Sequence, residues 1–268
     1  MSDVAPVLFT AGEGVGRITL NRPTTLNALN PEVMRGISDA MRVIGDDPSI
    51  RVVIITGSGR GFCAGADLGD VARGQPAAND ADQSVNTNGS LYNDTMRAIV
   101  DCPVPTIARV HGAAAGGGFG LALACDITIA SHSAFFVATF GPRLGIVPDL
   151  GTTWHLPLRT GRARALGITL LGERMSAAVA YEWGLIWRCV ADNQLDAEVE
   201  RIAGILMRSS PAASTRIRSS IDAAFRQSFG DQLDLEMGHQ AVLIPRNMQE
   251  GARAFMEKRE PTFGGERY

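Results

Sequence analysis

No two cysteines in this chain have the spacing of a metal clip or a redox motif. The four, Cys63, Cys102, Cys125 and Cys189, are widely separated, so zinc and thiol-exchange readings have no pattern to rest on. Cys125 and Cys189 lie in apolar runs, as buried reduced thiols do. No Gly-Lys-Ser/Thr occurs, which excludes a Walker-type phosphate loop. Basic charge is not in excess. The formal net charge is −3 over 268 residues, which argues against nucleic acid as the main partner. No apolar run reaches the roughly 18 residues that suggest a membrane span. Met1-Ser2-Asp3-Val4 shows no basic stretch followed by an apolar core, so no signal peptide is expected. A reducing cytoplasm is the expected home, where the sequons at Asn88 and Asn93 carry no meaning. His111, His132 and His239 have no serine or cysteine in a recognisable triad pattern, which leaves Ser-His-Asp hydrolysis unsupported.

What the chain has is apolar bulk and alternation. Hydrophobic residues make up 45%, enough for a sizeable core. Strands are expected over 15–20, 51–56, 106–110, 127–130 and 134–139. Asn30 reads as a helix N-cap with Pro31 at the first helical position, and Val33, Ile37, Ala40, Met41 and Ile44 follow on one face. A second helix is expected over 91–101. The stretch 74–90 is polar and reads as a mobile surface loop that helps shape a ligand pocket. From Arg162 onward the chain reads as helical, with Pro211 opening one helix and Asp231 another. The order implies an α/β core over 1–195 and a helical region over 196–268. Leu233, Leu235, Met237, Val242 and Leu243 give that last region apolar surface, for a neighbouring subunit or for its own core.

Two glycine-rich stretches carry the chemistry. One is Phe62-Cys63-Ala64-Gly65-Ala66-Asp67-Leu68; the other is His111 to Gly120, with Gly116-Gly117-Gly118 at its centre. Neither holds a nucleophile or a ligand set. Both offer peptide N–H groups that a ligand can approach closely, and such groups suit the negative charge that develops on a carbonyl oxygen. The triple glycine opens a helix, so its N–H groups lie at the positive end of the helix dipole. Gly57-Ser58-Gly59-Arg60-Gly61 follows a strand, but residue 62 is Phe and no amphipathic helix comes next, against dinucleotide binding.

Ile18-Thr19-Leu20-Asn21-Arg22-Pro23, Asn27-Ala28-Leu29, the 62–68 segment, the triple glycine and Phe255-Met256-Glu257-Lys258-Arg259 together resemble the enoyl-CoA hydratase/isomerase (crotonase) superfamily. The likeness runs over essentially the whole chain. It implies a ClpP-like spiral of β-β-α units with a helical C-terminal trimerisation region, trimers or dimers of trimers, and coenzyme A thioester substrates. Coenzyme A would enter as part of the substrate, with no separate cofactor. The resemblance also implies an oxyanion hole from the N–H groups of Ala66 and Gly117. It implies ligand contacts at Leu26, Ala28, Ala64, Asp67, Leu68, Phe255 and Lys258, the last two often across a subunit boundary.

Two departures bear on the reaction. Typical hydratases of the superfamily carry two glutamates; the matching places here are Gly120 and Gly141. Asp149, in Ile146-Val147-Pro148-Asp149, matches a position that faces the acyl group and serves isomerases as a proton shuttle. It could equally cap a helix beginning near Thr152. Segments 161–167, 170–173 and 181–187 resemble the ring-epoxide isomerase branch of phenylacetyl-CoA breakdown. The expectation is an isomerase that shifts a double bond or opens a ring in an acyl-CoA. The alternatives are an enoyl-CoA hydratase and a non-catalytic acyl-CoA-binding scaffold. The acyl group itself has no recognisable signature.

Overall fold

The structure, a computed structural model, describes residues 5–69 and 90–267. The polar stretch read as a mobile loop lies, up to residue 89, outside the described residues.

The chain opens with an antiparallel hairpin, β1 (Val7–Gly12) and β2 (Val15–Leu20). Its turn residues Glu13 and Gly14 both have positive φ, 50° and 81°, the turn whose twist matches paired strands. Strands β3 (Val52–Gly57), β4 (Thr106–Val110), β6 (Ile127–Ser131) and β9 (Arg188–Val190) extend the sheet in parallel, in the order β1-β2-β3-β4-β6-β9. A smaller sheet, ordered β5-β7-β8, joins Ala113–Ala115, Phe135–Val137 and Met175–Ser176.

Parallel strands are covered on both faces, and β3 shows it. Val53 and Ile55 point into the main core with Ile18, Leu20 and Phe119. Val52 and Ile54 point the other way, against Leu195, Val199, Ile202 and Ala203. Helix α1 (Pro31–Asp46) closes the first face. Asn30 caps it, accepting from Val33 N at 2.9 Å, and Val33, Met34, Ile37, Ala40, Met41 and Ile44 form its buried stripe. Helix α2 (Ser90–Val100) packs beside α1, where Thr95 Oγ1 donates to the Leu91 carbonyl at 2.7 Å and meets Ser38 Oγ at 2.7 Å. Helix α3 (Gly117–Ala124) is buried along its whole length, as a helix between sheet and helices must be. Helix α4 (Thr152–Leu171) is broken at Gly161, and α5 (Ala177–Glu182) precedes β9.

Helix α6 (Leu195–Arg208) covers the second face of the sheet. Helix α7 (Pro211–Ala223) returns to the core, where Thr215 Oγ1 donates to the Pro103 carbonyl at 3.1 Å. Arg218 pairs with Asp126 at 2.7 Å, and Asp126 accepts from Thr106 N at 2.7 Å, so Asp126 is a structural acid. Helix α8 spans Phe229–Leu243, two residues earlier than the sequence suggests at its start. Ser228 is its N-cap, and Asp231 is the third helical residue that completes a capping box; the acid reads as a start because it serves the start from inside the first turn. No residue of α8 is buried. Helix α9 (Gln249–Glu257) follows a π turn. The C-terminal segment then runs back to α1. There Arg267 donates to the carbonyls of Ile44, Gly45 and Ile50 at 2.8, 2.8 and 2.9 Å, and also to that of Asp47. Among the described residues no helix is long and apolar enough to cross a membrane.

Candidate active site

Three loops converge at the ends of β2, β3 and β5. The first follows β2. Leu26 and Asn27 adopt left-handed φ, 52° and 59°, a conformation that needs compensation outside glycine. Asn27 supplies it: its Nδ2 donates to the Ser58 and Gly61 carbonyls at 2.9 and 2.8 Å, and its Oδ1 accepts from Arg22 N at 2.9 Å. Arg22 then reaches across, donating to the Ala28 carbonyl at 2.8 Å and pairing with Asp67 at 2.8 Å. Leu26, Ala28, Ala64 and Asp67 are thereby gathered, with Ala64 N donating to the Leu26 carbonyl at 2.9 Å.

The second loop follows β3. Leu29 N donates to the Gly65 carbonyl at 2.7 Å, and Asp67 N donates to the Leu29 carbonyl at 2.9 Å. These two bonds flank Ala66. Extended backbone alternates its N–H groups between sides, so Ala66 N–H points away from Leu29. On the far side Cys63 N donates to the Ala113 carbonyl and Ala115 N to the Cys63 carbonyl, both at 2.9 Å.

The third loop is the triple glycine. Gly116 has φ 49° and ψ −123°, and its N–H donates to the Val137 carbonyl at 2.9 Å. Gly117 is the first residue of α3, where an N–H has no partner within the helix. The two glycine loops touch. A Cβ placed on Gly65 would stand 2.7 Å from the Ala115 carbonyl oxygen and 3.1 Å from Gly117 N, so only glycine permits that approach. Among the described residues no protein acceptor receives the N–H of Ala66 or of Gly117. Two adjacent backbone donors therefore stand unpaired.

Asp149 arrives from the segment after β7. Its carbonyl accepts from Thr152 N at 2.9 Å, but the N-cap of α4 is Gly151 and the carboxyl caps nothing. The next residue, Leu150, is buried, has φ 48°, and rests its Cδ1 against Gly117, 2.8 Å from where a Cβ would be. Asp149 is thus held one residue from a side chain that touches the donor loop. Surrounding protein withdraws water and raises its carboxyl above the usual value of 3.8, with only its own N–H opposing. The carboxyl keeps an open side toward solvent. Asp67 differs, since Arg22 and Gly69 N hold it.

The two hydratase glutamate positions are not alike. Gly120 faces Leu150 and Thr152: a Cβ there would lie 2.7 Å from the Leu150 carbonyl oxygen and 2.9 Å from Thr152 Oγ1. Gly141 is exposed, with its nearest neighbour, the Thr169 carbonyl oxygen, at 3.4 Å from such a Cβ.

Other reactive groups are quiet. Burial pushes the Cys63 thiol up to about 12 and the His155 imidazole down to about 4, so the first stays protonated and the second neutral. Glu173 and Glu182 are exposed. His239 has a serine partner that completes no triad: its Nδ1 lies 2.9 Å from Ser220 Oγ, between α7 and α8. Their spacing of nineteen residues hides the pair, which two packed helices create. Phe255 and Lys258 stand exposed on and just after α9, Phe255 at 82%; Leu68 is also exposed. Two contributors carry no sequence signal of their own role. Arg22 ties Ala28 to Asp67, and Tyr92 on α2 lies within the influence of both Asp67 and Asp149.

A family model described as enoyl-CoA hydratase/isomerase matches residues 10–266. The chain belongs to the enoyl-CoA hydratase/isomerase family. It is similar to the 1,2-epoxyphenylacetyl-CoA isomerase of Escherichia coli (strain K12), 40% identical over 262 residues, covering 97% of this chain and 98% of that one. It is 38% identical to a probable enoyl-CoA hydratase of Rhodobacter capsulatus, over 97% of this chain and 98% of the relative. Among solved structures, an enoyl-CoA hydratase from Polaromonas sp. JS666 matches with a TM-score of 0.89 at 33% identity, over 96% of this chain and 99% of that one. This chain thus has the crotonase fold, with C-terminal helices, of solved enoyl-CoA hydratases.

Proposed function

We propose that this enoyl-CoA hydratase/isomerase family member is an acyl-CoA isomerase, moving a double bond or opening a ring in a coenzyme A thioester. The observation that carries the reading is the pairing of a closed Gly120 with a free Asp149. Hydration needs an acid and a base to split water between them. Leu150 and Thr152 leave no room at position 120 for an acidic side chain. Asp149 supplies one carboxyl, raised above its usual value by burial and engaged by no cap. One carboxyl suffices for a proton that leaves one carbon and returns to another.

In this mechanism the thioester oxygen lies between the N–H groups of Ala66 and Gly117. Their hydrogen bonds strengthen as the enolate forms, which lowers the barrier more than it favours the bound substrate. Asp149 takes the proton from a substrate carbon and delivers it to a second atom. No redox change occurs, and coenzyme A takes part only as a portion of the substrate. Leu26, Ala28, Ala64, Asp67 and Leu68 hold the coenzyme A side, and Phe255 and Lys258 close over it from α9. The unburied α8, with Phe229 and Met237 exposed, supports assembly as a homotrimer or a dimer of trimers.

The 38% identity to a probable hydratase keeps hydration as the second reading. Exchange of acyl-chain hydrogens in heavy water, followed by product mass, tests the first. Rapid loss of enoyl absorbance with crotonyl-CoA, without isomer formation, would favour hydration; no exchange with any thioester would favour a binding scaffold.

A further inference from the structure

Leu150 and Gly151, the two residues after Asp149, border a cavity of about 970 Å³ to which the mechanism above gives no role. Leu150 rests its Cδ1 against the donor Gly117 and also lines this cavity. The space is therefore one side chain away from the donor loop and two residues of backbone away from the proton carrier. It runs between two helix faces. Met96 and Val100 of α2 lie on one, Thr215 and Ser219 of α7 on the other, and each pair is one helical turn apart. Along α2 the lining reaches from Asn93 to Val100, about 10 Å of helix. Trp154, in the first turn of α4, supplies a further wall.

Protein interiors are close-packed, so a gap of this size between helices marks room for a ligand. Its lining is apolar where Leu150, Met96, Val100 and Trp154 meet it. Two of its three arginines are engaged elsewhere: Arg97 pairs with Asp94 at 2.8 Å, and Arg218 with Asp126 at 2.7 Å. The third, Arg226, lies over the Trp154 ring, 5.7 Å from its centroid. His155 meets that ring edge-on at 4.9 Å. The indole is thus held by two neighbours and still 44% exposed. Asp101 and Asp222 also line the cavity and are exposed. Their carboxylates repel an anionic occupant, and the apolar wall favours an uncharged one.

We propose that this cavity receives the tail of the acyl group and that Trp154 is a substrate-binding residue against which the tail lies. The inference rests on the acyl-CoA reading and narrows its substrate to an uncharged, extended acyl chain, octanoyl or longer. A crotonyl group would leave most of the space unfilled, and a single ring would cover only part of its length. Each methylene that leaves water for this wall raises affinity, by up to about fourfold.

Saturated thioesters test this without turnover. Butanoyl-, octanoyl- and dodecanoyl-CoA are titrated calorimetrically into the full-length protein and into Ala223→Trp, which adds an indole where the last residue of α7 lines the cavity. The expected affinity of the native protein rises by about a hundredfold from butanoyl to dodecanoyl, whereas in Ala223→Trp the rise falls below about fivefold and butanoyl-CoA binds as before. Contact with Trp154 is read separately with ω-bromododecanoyl-CoA, whose bromine quenches an indole that it touches. Relative to dodecanoyl-CoA it should quench the native protein and not Trp154→Phe. An affinity independent of chain length, or a rise that survives in Ala223→Trp, overturns the inference and leaves the acyl-CoA reading standing. So does quenching that is absent from the native protein or persists in Trp154→Phe. Failure of the native protein to bind any of the three saturated thioesters overturns the two together.

Discussion

Gly120 and Leu150 meet so closely that a Cβ on Gly120 would stand 2.7 Å from the Leu150 carbonyl oxygen. Leu150 also covers Gly117. One residue thus packs on the triple-glycine loop, shuts position 120 and directly follows Asp149 in the chain.

If Asp149 carries the proton, Asp149→Asn lowers hydrogen exchange and isomerisation by about 10²- to 10⁴-fold. The dissociation constant for a coenzyme A thioester should stay within about twofold, because the donors at Ala66 and Gly117 are untouched. Titration calorimetry beside an exchange assay in heavy water separates the two effects. Full exchange in the variant removes Asp149 from the mechanism.

The same substitution makes a stability prediction of definite sign. Desolvation raises the Asp149 carboxyl above 3.8 in the folded chain, so the fold disfavours its charge and binds its proton more tightly than the unfolded chain does. That penalty is present above the folded value and vanishes as pH falls through it toward 3.8. Asp149→Asn should melt higher than the native protein at pH 7, with the gap narrowing as the pH approaches 4. An equal gap at both ends would show that the charge is not the cause. The acid limb of the activity profile should likewise lie above the ordinary aspartate value.

Gly120→Ala should destabilise by about 1–3 kcal/mol, since the added methyl forces Leu150 or Thr152 to move. Gly141→Ala, where a Cβ meets nothing closer than 3.4 Å, serves as the control and should leave the melting temperature nearly unchanged. Denaturant midpoints measured in parallel check the contrast. Similar losses at both positions would mean that Leu150 does not close position 120.

Arg267 holds the end of α1 through carbonyls that its helix leaves without partners. Truncation in Arg267→Ala leaves several buried acceptors unmatched, at a cost of about 2–3 kcal/mol. Hydrogen exchange should rise in the last turn of α1 and over residues 47–50, and proteolysis should remove the C-terminal residues sooner. Unchanged exchange there would show that the tail contributes little to the fold.

Lys258 is the chain's single lysine, exposed with φ 54° at the end of α9. If it meets the coenzyme A portion, a saturating thioester should slow its acetylation about tenfold or more, and Lys258→Ala should weaken binding by about 1 kcal/mol, the scale of an exposed ion pair. Peptide mass analysis reads the modification. Acetylation at the same rate with and without ligand would place coenzyme A elsewhere.

Much of this was legible in the chain alone. Asn30 and Pro31 announced α1, and the apolar stripe behind them named its buried face. The β-branched run at 52–55 gave a strand buried on both faces. The glycines marked where backbone would be approached closely, and Asp149 stood out as the acid left over. These features follow from local rules: caps, side-chain alternation and the steric freedom of glycine act between residues a few positions apart. What only packing could decide is which distant groups meet. Gly65 touches Gly117 because two parallel bridges, at Leu29–Ala66 and Cys63–Ala114, fix the register of three loops. Leu150 shuts position 120, and Tyr92 falls under the charge of Asp149 fifty-seven residues away, because α2, α3 and the turn before α4 share one core. No periodicity records such meetings, since the free energy that brings the groups together belongs to the burial of the whole core and not to the segments that carry them.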